Sequence, residues 1–263
     1  MTKGMGMSDA ELLYDVREKT AWFTINREQR RNALSLGMID LFFQYLDRAE
    51  ADDAVRVGCI TAVGDKAFCS GADLTSATAD GDPLAGAAKY AELLKRMAHF
   101  SKPLVARING HCMAGGMGFM LSCDLVYARE GVNFGTPEVN VGLFPMMIGA
   151  LIFRNAGRKK ALEMIYTART YSAAEAEEMG LITRACPAET LDATVSEALR
   201  AIASKAPLAL RFGRRAFAAV EGKGLEESLD YLCEELRKVA STEDAKEGMT
   251  AFVQKREPVW KGR

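Results

Sequence analysis

The 263 residues, 49% of them hydrophobic, suffice for one large domain or a domain with an appendage. With 34 basic against 35 acidic residues the net charge is −1, which excludes a long-range field toward nucleic acid or an anionic membrane and makes any anion site a local one. The apolar stretches break off before the length of a spanning helix, Met1 to Asp9 lack a signal core or an arginine-rich transit pattern, and the six cysteines (Cys59, Cys69, Cys112, Cys123, Cys186, Cys233) lack paired or metal-like spacing; the expectation is a reduced, cytoplasmic protein.

The chain begins with a hairpin pattern, Leu12 to Arg17 and Ala21 to Ile25, the second run alternating Ala21, Phe23 and Ile25 against Trp22 and Thr24. A polar segment from Asn26 to Arg31 follows, in which Arg27 and Arg30 read as solvated. Ser35 then caps a helix from Leu36 to about Glu50, whose apolar residues Met38, Ile39, Leu41, Phe42, Tyr45 and Leu46 keep helical spacing. Val57 to Val63 is a buried strand that ends at Gly64-Asp65 and leads to Phe68-Cys69-Ser70-Gly71-Ala72-Asp73-Leu74.

Thr75 to Pro83 reads as a small, polar loop beside the site, and about Leu84 to Phe100 as a helix with Leu93, Leu94, Met97 and Phe100 inward. Pro103 to Ile108 is a second short apolar run. It enters Asn109-Gly110-His111-Cys112-Met113-Ala114-Gly115-Gly116-Met117-Gly118, with Met113 to Leu121 as a buried central helix. Both glycine turns read as strand ends opening toward a helix, and two such turns can aim two backbone N–H groups at one point, as an oxyanion requires.

Glu138 stands among mostly apolar residues after Pro137. A carboxylate there either binds a local N–H or has a raised pKa suited to proton transfer near neutral pH. Other chemistries find less support. Gly116-x-Gly118 is followed by Leu121 where a dinucleotide fingerprint needs glycine, and His99 and His111 are too few for a histidine-ligated metal. His111 reads as structural, Ser70 lacks an obvious histidine base, and Cys69 and Cys112 lack a partner that would make a thiolate. Beyond Gly157 the pattern is helical: Arg158 to Tyr166, Ala173 to Met179 between Ser172 and Gly180, then, after a short strand from Leu181 to Ala185, helices over about 189–204, 207–220, 225–239 and 242–255.

The two glycine motifs, followed by Cys123-Asp124 and Phe134-Gly135-Thr136-Pro137-Glu138, resemble the crotonase superfamily, the enoyl-CoA hydratase/isomerase proteins, from about Glu11 to about Lys261. The resemblance implies an α/β fold with a crotonase-like (ββα) spiral core over 1–188 and a helical C-terminal trimerisation region over 189–263. It implies an acyl-CoA substrate, an oxyanion hole made by the Ala72 and Gly115 N–H groups, and Glu138 as acid and base. Coenzyme A belongs to the substrate, and no further cofactor or metal is expected. The implied coenzyme A contacts are Arg31, Gly71, Ala72, Phe252 and Lys255, the last two often serving a neighbour's site in a homotrimer or dimer of trimers; for Lys255 a basic helix end on the surface is the equal alternative.

Two departures bear on the chemistry. Hydratases of this family usually carry a second glutamate three residues after the oxyanion glycine, where this chain has Gly118, and Pro145-Met146-Met147-Ile148-Gly149 replaces their usual Pro-Gly-x-Gly-Gly. Family membership favours a hydratase, whereas Gly118 favours an isomerase or another enolate chemistry such as decarboxylation. A non-catalytic acyl-CoA-binding or assembly subunit is the alternative of another class.

Overall fold

The computed structural model describes residues 10–73 and 83–263. Met1 to Asp9 and the loop expected from Thr75, except Pro83, lie outside the described residues. Strands β1 (Leu12–Arg17) and β2 (Thr20–Ile25) form the expected antiparallel hairpin, in register from Leu12↔Ile25 to Arg17↔Thr20. Its two-residue turn, Glu18-Lys19, is left-handed at both positions, the geometry that matches strand twist, although neither residue announces it.

Helix α1 (Leu36–Ala51) starts as expected, with the Met38 N–H donating to Ser35 Oγ at 3.0 Å, and it buries Met38, Ile39, Phe42, Leu46 and Ala49. Strand β3 (Val57–Ala62) is buried at every position because both faces of the sheet are covered. There follow β4 (Ala67–Cys69), α2 (Pro83–Ala98), β5 (Leu104–Ile108), β6 (His111–Met113), α3 (Gly115–Leu121), β7 (Leu125–Arg129), β8 (Asn133–Gly135), α4 (Met146–Asn155), α5 (Arg158–Thr167), β9 (Tyr171–Ser172), α6 (Ala173–Glu178) and β10 (Arg184–Cys186).

The strands make two sheets. One has six strands in the order β1-β2-β3-β5-β7-β10, parallel except for the hairpin, and the other has four in the order β4-β6-β8-β9. In the smaller sheet β4, β6 and β8 run parallel and β9 returns antiparallel. The chain is therefore an α/β protein, as expected. A line of aromatic rings ties the layers together: Phe23 of β2 stacks on Phe42 of α1, Phe42 lies 4.9 Å from Phe119 of α3, and Phe119 meets Tyr90 of α2 edge-on at 5.9 Å.

Two local expectations are corrected, and one element was not expected. Met113 belongs to β6, not to the central helix, which starts only at Gly115 because Ala114, its N–H donating to the Gly135 carbonyl at 2.9 Å, holds a non-helical backbone with φ 47° and ψ −124°. The strand expected over Leu181 to Ala185 is Arg184–Cys186 instead, since the Leu181 and Ile182 N–H groups still bond back to the Ala176 carbonyl of α6. Helix α4 had no sequence expectation at all; it packs on α3 and buries Ile148, Gly149 and Ile152.

After β10 the described chain is helical. Helix α7 (Leu191–Ala203) covers the outer face of the larger sheet with Leu191, Val195, Leu199 and Ala203 against Val57, Cys59, Val105 and Tyr127. Helix α8 (Pro207–Val220) is held by Arg214, which donates to the Met97, Ala98 and Phe100 carbonyls at the end of α2 and pairs with Asp124 at 2.8 Å. Helix α9 (Leu225–Ala240) buries nothing and leaves Leu225, Leu229 and Leu236 exposed. Helix α10 (Glu243–Gln254) is strapped by the segment after it: Asp244 accepts from the Lys261 and Gly262 N–H groups, and Trp260 lies against Gly248 while its indole N–H donates to the Ser204 carbonyl at 2.7 Å.

Candidate active site

Three parallel strands of the smaller sheet end side by side, and the chain leaving each one carries a candidate residue. Beyond β4 come Ser70, Gly71 and Ala72, beyond β6 come Ala114 and Gly115, and beyond β8 come Thr136, Pro137 and Glu138. The carboxyl ends of parallel strands are where backbone groups lose their ladder partners and become available to a ligand. The sheet thus gathers the three elements read from sequence.

The two N–H groups are aimed by different means. Leu34 forms a parallel bridge with Ala72, its N–H donating to the Gly71 carbonyl at 2.8 Å while its carbonyl accepts from the Asp73 N–H at 2.9 Å. A trans peptide points the Ala72 N–H opposite to the Gly71 carbonyl, away from Leu34. Gly115 opens α3, so its N–H is one of the helix's unpaired first donors. The expectation that a donor stands at a helix N-terminus holds for Gly115, whereas for Ala72 the helix expected to follow it lies outside the described residues. Ala72 is held in an extended bridge.

Sterics explain the glycines. Gly71 has φ +101°, and a Cβ on it would sit 2.7 Å from Ala114 Cβ and 3.2 Å from the Gly115 nitrogen. A Cβ on Gly115 would lie 3.6 Å from the Ala72 nitrogen and 2.7 Å from Leu34 Cδ1. Both donors thus border one small space that a side chain would fill. Ala114 between them is itself left-handed, with φ 47° and ψ −124°, a conformation that costs about 1–3 kcal/mol and marks a turn held by its surroundings.

Glu138 lies in a short 3-10 turn, Pro137–Val141, that packs against α5, and the Glu138 backbone carbonyl accepts from the Leu143 N–H at 3.0 Å. Its Oε2 is buried and has no hydrogen-bond partner among the described residues. Burial pushes the carboxyl pKa up, against a smaller opposing contribution from a hydrogen bond to its own backbone. An acid so placed holds a proton at higher pH than an exposed glutamate does, which is the property that proton transfer near neutrality uses.

The residues around these three are more ordered than the sequence suggested. Asn32, left-handed and buried, donates through Nδ2 to the Ala67 carbonyl at 2.7 Å and the Val63 carbonyl at 3.1 Å, and its Oδ1 accepts from the Arg27 N–H. Asn109 similarly donates to the Ala62 and Gly64 carbonyls. Asn109 was signalled only as the first residue of the second glycine motif, and Asn32 only by its place ahead of Ala33-Leu34-Ser35. Arg27 corrects an expectation: it is not solvated but largely buried, pairing with Glu11 at 2.7 Å and with Asp73, next to Ala72, at 2.9 Å. Arg30 is exposed, as expected.

Arg31 is exposed and left-handed, and its carbonyl accepts from the Ser70 N–H at 3.2 Å, so its backbone is fixed beside the first glycine turn while the guanidinium faces solvent. Phe252 and Lys255 are not brought to this chain's own site. Phe252 is 84% exposed, so its ring covers no site among the described residues; Lys255 ends α10 in a left-handed, exposed position. Burial raises the Cys69 thiol to about 12 and pushes the Cys112 thiol well above its ordinary value, which suits core packing and not a nucleophile. His111 Nδ1 accepts from the Asn133 N–H at 2.9 Å, a structural role.

The family model for enoyl-CoA hydratase/isomerase matches residues 16–263. The chain belongs to that family. An enoyl-CoA hydratase, mitochondrial, of Pongo abelii is 33% identical over 244 residues, covering 90% of this chain and 82% of the relative. A 2,3-dehydroadipyl-CoA hydratase of Escherichia coli K12 is 31% identical and covers 97% of this chain and all of the relative. The crystal structure of an enoyl-CoA hydratase from Bacillus anthracis superposes with a TM-score of 0.92 at 30% identity, covering 96% of this chain and 100% of that one. The expected crotonase-type α/β fold is thus shown, and with it an enzyme of the enoyl-CoA hydratase/isomerase family.

Proposed function

We propose that the protein binds an acyl-CoA thioester and catalyses proton transfer through its enolate. The observation that carries this reading is Glu138, a half-buried residue whose buried Oε2 has no hydrogen-bond partner among the described residues, at the third of three strand ends whose other two present the Ala72 and Gly115 N–H groups. The thioester carbonyl oxygen accepts from both N–H groups. Glu138 removes the α-proton, the electron pair moves into the carbonyl, and the oxygen carries the negative charge that the two donors stabilise. With a 3-enoyl-CoA, delivery of the same proton to the γ-carbon moves the double bond to the 2-position and regenerates the carboxylate.

Arg31 supplies a cation for the coenzyme A phosphates, and Gly71 and Ala72 line the passage of the thioester. Phe252 and Lys255 serve a neighbouring subunit's site. The region over 189–263, and within it the exposed apolar faces of α9 and α10, is the assembly surface of a homotrimer or a dimer of trimers. Sedimentation in the presence of substrate is expected to show a trimer or hexamer as the active species; a stable, active monomer would remove Phe252 and Lys255 from the site.

The hydratase names of relatives favour water addition, but residue 118 has no side chain to orient or deprotonate water. The expected result is that isomerisation of a 3-enoyl-CoA, followed by proton NMR of the 2-enoyl product, outruns hydration of a 2-enoyl-CoA by about 10²–10⁴-fold, the worth of one general acid–base group. Equal rates would make hydration the primary activity and assign the water to another group. Absence of both, with acyl-CoA still bound, would favour a binding or assembly subunit.

A further inference from the structure

The space that the missing glutamate would need is occupied. A Cβ built on Gly118 would lie 1.9 Å from Tyr90 Oη and 3.0 Å from Tyr90 Cζ, so the phenol of α2 stands where a side chain of α3 would begin. Tyr90 is buried, its ring is fixed edge-on against Phe119, and its hydroxyl donates to the Gly115 carbonyl. The acceptor belongs to the same residue whose N–H is one of the two oxyanion donors. The donor side chain sits on the helix that follows the segment leaving the other one, Ala72.

We propose that Tyr90 is a positioning residue of the oxyanion hole: its hydroxyl fixes the first turn of α3 through the Gly115 carbonyl, and Gly118 is a glycine because that phenol needs the room. The geometry has a chemical consequence. A hydroxyl that gives its proton to a backbone carbonyl orients a peptide, whereas a glutamate in the same volume would have faced the substrate as a base. This chain has thus exchanged a second acid for a firmer donor. Burial first, then the buried Cys69 and Cys112 thiols and the Glu138 carboxylate, hold the phenol protonated well above its usual range, so its proton is present at every working pH.

The inference rests on the enolate chemistry proposed above, and the experiment separates the two. Tyr90→Phe keeps the ring and deletes the donor. The expected result is a fall of about tenfold in kcat for 3-enoyl-CoA isomerisation, the worth of one hydrogen bond, with KM within about twofold. The ultraviolet enolate band of bound acetoacetyl-CoA falls in step, and amide hydrogen exchange quickens in the peptide spanning residues 113–118. Gly118→Ala, whose methyl must push the phenol aside, gives the same pattern, and the double variant is no worse than the weaker single, because both substitutions break one contact.

Tyr90→Phe with kcat and exchange both unchanged, or multiplicative losses in the double variant, would overturn the proposal while leaving the enolate reading intact. A wild-type protein with neither turnover nor an enolate band would overturn the enolate reading. Exchange at 113–118 in Tyr90→Phe would still decide whether Tyr90 holds the turn.

Discussion

Glu138→Gln is expected to abolish most turnover and to raise thermal stability in the same protein. The amide keeps the shape of the carboxyl but cannot carry a proton, and general acid–base catalysis is worth about 10²–10⁴-fold, so kcat falls by that factor while thioester affinity changes little. Stability moves the other way because burial disfavours the carboxylate. Since burial raises the folded-state pKa above the ordinary value of 4.5, the favourable proton-bound form is fully present below that value, and its contribution is lost as pH rises through the folded pKa. The wild type therefore loses stability relative to the glutamine variant as pH rises above about 4.5, and the two converge in acid. Thermal melts at pH 4 and pH 7 measure this directly. Activity within a few-fold of wild type would reject Glu138 as the base, and a lower melting temperature for the variant at pH 7 would reject its desolvation.

Gly115→Ala should be nearly as damaging for a different reason. The added methyl would lie 2.7 Å from Leu34 Cδ1 and 3.6 Å from the Ala72 nitrogen, which places it in the space between the donors. Loss of one oxyanion donor costs about 10²–10³-fold in kcat. Overpacking against Leu34 adds a stability loss of about 1–3 kcal/mol. The two effects separate in Leu34→Ala/Gly115→Ala, where the smaller residue 34 admits the methyl. Stability should recover there and activity should not. Recovery of both would mean that the methyl had been a packing defect only, and the anion would have to bind elsewhere.

The sequence made β1, β2, β3 and β5, the helices behind Ser35 and Ser172 and the three strand-end residues legible because each carries a local signal, whereas β7 and the short strands of the smaller sheet carry too few residues or too little alternation to show one. Alternation marked β2, Ser35 and Ser172 marked their helices, and the capping box of Ser172 with Glu175 closed as those residue types suggest. What stayed hidden depended on residues far apart in the chain. Arg27 looked solvated because nothing near it in sequence shows Asp73, and Arg214 gave no sign that it would close the end of α2. Tyr90 lay among ordinary helix residues, and its meaning came only from Gly118 on another helix. Helix α4 was missed because its apolar run follows Pro145 and lacks a side-chain cap.

The three strand ends also set the order in which the protein can become competent. Helices such as α9 and α10 need only neighbouring residues to form, whereas the site needs β4, β6 and β8 to find one another across long intervening segments, and parallel pairings of that kind are slow because chain entropy is lost before contacts reward it. Neither donor has its direction until Leu34 bridges Ala72 and Ala114 is pinned to Gly135. On dilution from denaturant the circular dichroism of the helices should therefore return before thioester binding does. A collapsed, largely helical chain would be catalytically silent, so activity in this protein reports the last step of refolding and not the first.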